Sequence, residues 1–188
     1  MINKKDIEYI LNNFNGIVII DEAYIDFAGV DSLIGLITKY NNLIVSQTFS
    51  KAWGLAGARV GIAYANKEII KLYNKVKPPY NISELNQQAA ITALENYQAY
   101  STILARIISE KKRLIKELQK IKLIKKIYPS DANFLLVEVL NANKLYSDLI
   151  RKKIITRNRN VQVSNCLRIT VGTPEENDNL LNALKTLA

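Results

Sequence analysis

Two unbroken aliphatic runs, Ile17-Val18-Ile19-Ile20 and Leu43-Ile44-Val45, most constrain how this chain can fold. A strand with one wet face alternates apolar and polar side chains. A continuous run instead predicts a strand buried on both faces, as in a parallel sheet covered by helices. A third strand is predicted at Val60-Gly61-Ile62-Ala63-Tyr64-Ala65. Around these runs lie helical patterns over residues 7–14 and 32–40. A further helix is opened by Asn66 as N-cap, carries Glu68 in its first turn and is stopped by Pro78-Pro79. Ser83 opens another helix that reaches Leu94. Strands alternating with helices imply the α/β class with a mostly parallel sheet.

From Ser101 the apolar residues Ile103, Leu104, Ile107, Ile108, Leu114, Ile115, Leu118 and Ile121 recur at helical spacing and predict one long amphipathic helix. Beyond it, strands are expected over 133–139, at Ile154-Ile155-Thr156 and over 167–171, with a helix over 142–152. A last helix starts at Pro174, with Thr173 as N-cap and the acids Glu175 and Glu176 beside its positive end. The second part therefore reads as a small α+β domain. The expected division is residues 1–100 and 101–188, although no Gly/Ser linker marks it.

Composition excludes several classes. With 188 residues, 48% of them hydrophobic, the chain can build one or two packed domains. No apolar run approaches the roughly 18 residues of a membrane span, and acids near the N-terminus argue against a secretory signal, so a cytoplasmic location is expected. Cys166 is the single cysteine and histidine is absent, which leaves no internal disulfide, no Cys/His metal site and no histidine base. The net charge of +9 lies wholly in the second part, because residues 1–95 hold nine Lys/Arg against nine Asp/Glu. A solvated helix face explains that excess, as does a site for anionic ligands. A nucleic-acid surface is not expected, since no interleaving of aromatic and basic residues accompanies the charge.

The chemistry concentrates in two segments. Thr48-Phe49-Ser50-Lys51-Ala52-Trp53-Gly54-Leu55-Ala56-Gly57-Ala58-Arg59 places a lysine directly after a strand. The hydroxyls of Thr48 and Ser50 and the planar guanidinium of Arg59 can converge there on a phosphate. Alternatively Lys51 is a solvated loop residue, Thr48 and Ser50 serve a turn, and Arg59 makes a surface ion pair. Asp21-Glu22-Ala23-Tyr24 ends a strand where open α/β sheets place their ligands. Asp21 can instead cap the next segment, and Tyr24 can be core.

These segments, together with Cys166-Leu167-Arg168-Ile169-Thr170-Val171-Gly172-Thr173, resemble the histidinol-phosphate aminotransferase family within the fold-type I enzymes. The resemblance implies pyridoxal 5'-phosphate as cofactor, with Lys51 as both its Schiff-base residue and the acid/base of the proton transfer. It implies Asp21 at the pyridine nitrogen, Tyr24 at the ring oxygen, and Thr48, Ser50 and Arg59 at the phosphate. Arg168, and more weakly Arg157, would hold the substrate's anionic group, although an outward-facing strand charge also accounts for Arg168. Substrates would be a small phosphorylated amine and a 2-oxo acid. The architecture implied is the C-terminal part of a large cofactor-binding domain, residues 1–100, followed by a linking helix and small domain, residues 101–188. The family's earlier portion, with its amide loop for the phosphate and its ring-stacking aromatic, has no counterpart before Ile17. The partner expected is that missing half or a second copy in a homodimer. Another aminotransferase or a phosphothreonine decarboxylase would keep the same core residues. An inactive fragment acting through its basic part is the alternative from a different class.

Overall fold

A computed structural model describes residues 2–187. It divides into two compact units, one ending at Ser101 and the other beginning at Thr102.

The first unit opens with α1 (Lys4–Asn13), whose N-terminus is capped by Asn3 accepting from the Lys5 N–H at 3.0 Å. Ile7 and Leu11, one turn apart, are its buried residues. A three-stranded sheet follows in the order β1 (Val18–Asp21), β2 (Leu43–Thr48), β3 (Gly61–Ala65). β1 and β2 run parallel, in register from Val18 opposite Leu43 to Asp21 opposite Ser46. β3 returns antiparallel, and the 49–60 loop that joins it to β2 holds only a 3-10 turn and not the α-helix that usually makes a parallel crossover. The expectation that both aliphatic runs are buried on both faces holds for Leu43, Ile44 and Val45, which are buried, but not for β1. β1 is an edge strand, and Ile19 stays 60% exposed while Val18 and Ile20 pack against Ile7, Leu11 and Val45. The helix expected over 32–40 is only a 3-10 turn, Leu33–Leu36, capped by Ser32. Gly35 and the β-branched Ile34, Ile37 and Thr38 disfavour a longer one. Helices α2 (Lys67–Val76), α3 (Glu84–Glu95) and α4 (Tyr97–Leu118) follow, and the division between units falls within α4.

In the second unit a four-stranded antiparallel sheet has the order β4 (Ile124–Ile127), β5 (Phe134–Val139), β7 (Cys166–Thr170), β6 (Arg157–Asn158). α5 (Ala142–Arg151) and α6 (Pro174–Leu187) supply Leu145, Leu149, Leu180 and Leu184 to a core shared with Leu114, Leu118, Leu135, Val137, Leu167 and Ile169. β5 alternates strictly, so Leu135, Val137 and Val139 enter that core while Phe134, Leu136 and Glu138 line the opposite face.

One strand expectation needs correction here, and one strand was missed. Ile154-Ile155-Thr156 is not a strand. Lys153 turns left-handed (φ 61°) and the Ile154 N–H returns to the Leu149 carbonyl at 2.9 Å, so these residues close α5 and extension starts only at Arg157. β4 was not anticipated at all, since Lys125 and Lys126 break the apolar alternation and the pairing is shifted there. Thr173 and Glu176 form a reciprocal cap on α6: Thr173 Oγ1 accepts from the Glu176 N–H at 3.2 Å, and Glu176 Oε2 from the Thr173 N–H at 2.7 Å. Among the described residues, no helix is long and apolar enough to cross a membrane.

Candidate active site

At the end of β1 two adjacent acids diverge. Asp21 is exposed, and among the described residues its Oδ1 accepts the nearby Ala23 N–H at 2.9 Å, leaving carboxylate lone pairs open to a ligand. Glu22 is buried at 4% exposure and accepts from Ser32 Oγ (2.6 Å), the Leu33 N–H (2.8 Å) and Gln47 Nε2 (3.0 Å). It therefore staples the strand end to the next turn and to β2, holding Asp21 and Tyr24 in place. Glu22→Ala should cost about 2–4 kcal/mol in a urea melt, since three donors lose a charged acceptor. Asp21→Ala, one position away, should cost under about 1 kcal/mol. This structural role has no local sequence signal, because its partners lie ten or more positions away.

Tyr24 starts the 3-10 turn Ile25–Phe27, and its half-buried ring faces Lys51, whose Nζ lies 5.3 Å from the ring centroid. Lys51 is exposed at the mouth of the 49–60 loop. That loop is pinned by Phe49 N–H to Val60 O (3.1 Å) and Leu55 N–H to Phe49 O (2.9 Å), and the Gly54 N–H returns to Lys51 O (3.1 Å). Gly54 takes φ +72°, a conformation that costs glycine little. On the same loop Thr48 Oγ1 accepts the Ser50 N–H at 3.0 Å. Arg59 Nη1 donates to Ser50 Oγ at 3.4 Å and to Ala56 O at 3.1 Å. Arg59 is itself left-handed (φ 54°), a conformation costing a non-glycine residue roughly 1–2 kcal/mol. A strained, exposed arginine bent over a serine hydroxyl is a donor pair shaped for an anion. The first unit thus places Asp21, Tyr24, Thr48, Ser50, Lys51 and Arg59 at the ends of the parallel strands β1 and β2 and on the loops that follow them.

The second unit places the remaining two residues. Arg157 on β6 and Arg168 on β7 are direct cross-strand neighbours, on the face away from the helices. Like charges so placed repel. Arg168 Nε is buried with no hydrogen-bond partner among the described residues, and the guanidinium lies 4.9 Å from the Phe134 ring. An anion between the two guanidiniums would offset the repulsion. Cys166, in the same strand, is free and fully buried, and burial pushes its thiol above the ordinary range, so it is chemically quiet.

The family model for class I and II aminotransferases matches residues 1–184, and the chain belongs to that family. It is 51% identical over 180 residues to the histidinol-phosphate aminotransferase of Flavobacterium psychrophilum, covering 95% of this chain and 52% of that protein. The corresponding enzyme of Cytophaga hutchinsonii is 45% identical over 188 residues, covering 99% and 54%. The chain thus spans about half the length of the curated relatives it matches. Among solved structures, the histidinol-phosphate aminotransferase from Clostridium acetobutylicum superposes with a TM-score of 0.91 at 30% identity, over 100% of this chain and 59% of that one. L-threonine-O-3-phosphate decarboxylase from Porphyromonas gingivalis shares the fold, with a TM-score of 0.85 at 22% identity over 100% and 60%.

Proposed function

We propose that this chain provides the lysine-bearing half of a pyridoxal-phosphate enzyme that moves the amine of L-histidinol phosphate to 2-oxoglutarate, in histidine biosynthesis in the cytoplasm. The observation that carries the reading is the convergence, in one unit, of Lys51 on Tyr24 and of Arg59 on Ser50. That donor set fits the cofactor: a primary amine for its aldehyde, a carboxylate for its ring nitrogen, a phenol for its ring oxygen, and hydroxyls with a guanidinium for its phosphate. The bound cofactor would supply an electron sink for the charge left when the substrate carbon loses its proton. Lys51 would carry that proton, its amine held beside the Tyr24 ring. Asp21 would keep the ring nitrogen protonated, and Ser50 and Arg59 would anchor the phosphate and fix the ring's orientation.

In this reading the first unit is part of a large cofactor-binding domain and the second is the small domain, whose paired Arg157 and Arg168 hold the substrate's anionic group. The rest of the family polypeptide, and a second copy in a homodimer, would complete the site. Substrate choice is tested in an enzyme so completed by comparing histidinol phosphate, phenylalanine and threonine phosphate. Histidinol phosphate should be preferred, and Arg168→Ala should lower kcat/KM for it by about 10²–10³-fold, as expected when a charge-assisted contact to the substrate is lost. Equal turnover of all three amines would overturn the assignment.

A further inference from the structure

Resting on the reading of Lys51 as the cofactor lysine, we infer that Tyr100 is a positioning residue that ties the loop carrying Lys51 to the turn carrying Tyr24. Tyr100 stands in the first turn of α4, far along the chain from both. Its hydroxyl donates to Asp26 Oδ1 at 2.6 Å, across 74 positions of sequence. Its ring stacks on Trp53, with centroids 3.8 Å apart and planes 13° from parallel. Asp26 lies two residues after Tyr24 within the same 3-10 turn, where the Phe27 N–H returns to Tyr24 O at 3.1 Å. Trp53 lies two residues after Lys51, inside the turn closed by the Gly54 N–H on Lys51 O. With Lys51 Nζ over the Tyr24 ring, the contacts form a closed circuit: Lys51, Trp53, Tyr100, Asp26, Tyr24 and back to Lys51.

Two features set this circuit apart from ordinary core packing. The stack is only partly buried, and Tyr97, which packs against Trp53 at 6.4 Å and Tyr100 at 5.4 Å, is 61% exposed. Trp53 also packs on the buried Phe49, with centroids 5.6 Å apart, so the cluster is the exposed rim of a small core and not its centre. It also joins the only two segments of the first unit that carry the proposed ring-binding residues. Burial, and then the hydrogen bond to Asp26, push the Tyr100 phenol well above its ordinary range, so the donor stays protonated through neutral pH. A reactive amine must be held within a fraction of an ångström and a few tens of degrees of its working geometry, and loops do this poorly without such support.

Trp53 is the single tryptophan, so its fluorescence reports on the tie directly. The test uses the 188-residue chain and two readouts. One is the rate at which pyridoxal phosphate, trapped by borohydride and located by peptide mapping, modifies Lys51 relative to the exposed Lys116. The other is quenching of Trp53 by acrylamide. Tyr100→Phe keeps the ring and removes the donor, and Asp26→Ala removes the acceptor. Each should lower the Lys51 preference about tenfold, in line with the sensitivity of reactive groups to small misplacement, and should raise Trp53 quenching. The double variant should be no worse than either single one, and Asp26→Asn, which keeps an acceptor oxygen, should restore most of the effect. Unchanged Lys51 preference and unchanged quenching in Tyr100→Phe would overturn the tie, as would full additivity in the double variant. If wild-type Lys51 shows no preference over Lys116, the reading that this chain by itself assembles a cofactor site around Lys51 fails. Trp53 quenching then still decides the tie: raised in Tyr100→Phe it sustains it, unchanged it overturns it.

Discussion

Replacing Lys51 by Ala is expected to abolish the visible absorption that pyridoxal phosphate develops with this chain. In an enzyme completed with the rest of the family polypeptide, it should lower turnover by at least about a thousandfold. The size of the effect follows from what an amine does that no neighbour can. Thr48 and Ser50 are hydroxyls, Arg59 is a permanently charged guanidinium, and histidine is absent, so no other group placed on these loops can both attach to an aldehyde and return a proton. Lys51→Arg separates the two contributions. It keeps a cation near the Tyr24 ring and should retain anion affinity through Ser50 and Arg59, yet it should show no covalent band. A band of wild-type intensity in either variant would place the reactive lysine elsewhere and sink the assignment. Wild-type chain that develops no band would mean that the two loops at the sheet end need the remaining family polypeptide to close around the cofactor.

The second large effect lies in the other unit. Glu110→Gln should destabilise it by about 2–3 kcal/mol and lower its Tm by roughly 10 °C or more. Arg113 grips Glu110 through Nε (3.0 and 3.2 Å) and Nη2 (2.8 Å) and reaches across to Asp178 with Nη1 at 2.6 Å. Asn177, buried at 2% exposure, donates to Glu110 Oε2 at 2.9 Å and exchanges hydrogen bonds with Gly172 at 3.0 and 3.1 Å. The network thus locks α4 to α6 and to the turn that follows the Arg168 strand. A Cβ at Gly172 would sit 2.7 Å from Glu176 Oε2, so a side chain there would push that carboxylate out of the α6 cap. The cost stays below that of a fully buried pair, because the Arg113 side chain is 37% exposed and screened by water.

The bond with Arg113, reinforced by Asn177 against the opposing effect of burial, holds the Glu110 carboxyl below its usual range in the folded chain. The wild-type advantage is therefore whole at neutral pH. It begins to fade as pH falls into the ordinary carboxylate range and is gone below the depressed folded value. Thermal melts of wild type and Glu110→Gln should differ most near neutrality and converge in acid. A gap that stays constant with pH would mean the ionised carboxylate contributes nothing.

Local chemistry was readable along the chain because it is encoded locally. The caps at Asn66, Ser83 and Thr173 are each a short side chain three or fewer positions from the N–H it accepts, and all three form as expected. The Thr48 to Arg59 segment is proposed as a ligand loop because its hydroxyls, lysine and guanidinium lie within one turn-rich stretch. Where single residues compete with their surroundings, reading failed. Ile19 belongs to a run that looks buried on both faces, but β1 stands at a sheet edge and leaves it exposed. Ile154 and Ile155 have strand propensity, but the left-handed Lys153 commits them to ending α5.

By itself the sequence determined the α/β class and the family, and it supplied the residues proposed to hold a phosphorylated aldehyde cofactor, because strand burial, helix capping and loop composition act over a few neighbouring positions. Only the tertiary structure decided that Glu22 is a buried staple while Asp21 is exposed, that Arg157 stands opposite Arg168, and that Tyr100 joins Trp53 to Asp26. Those facts depend on strand register and on contacts spanning ten to 74 positions, which no local pattern encodes.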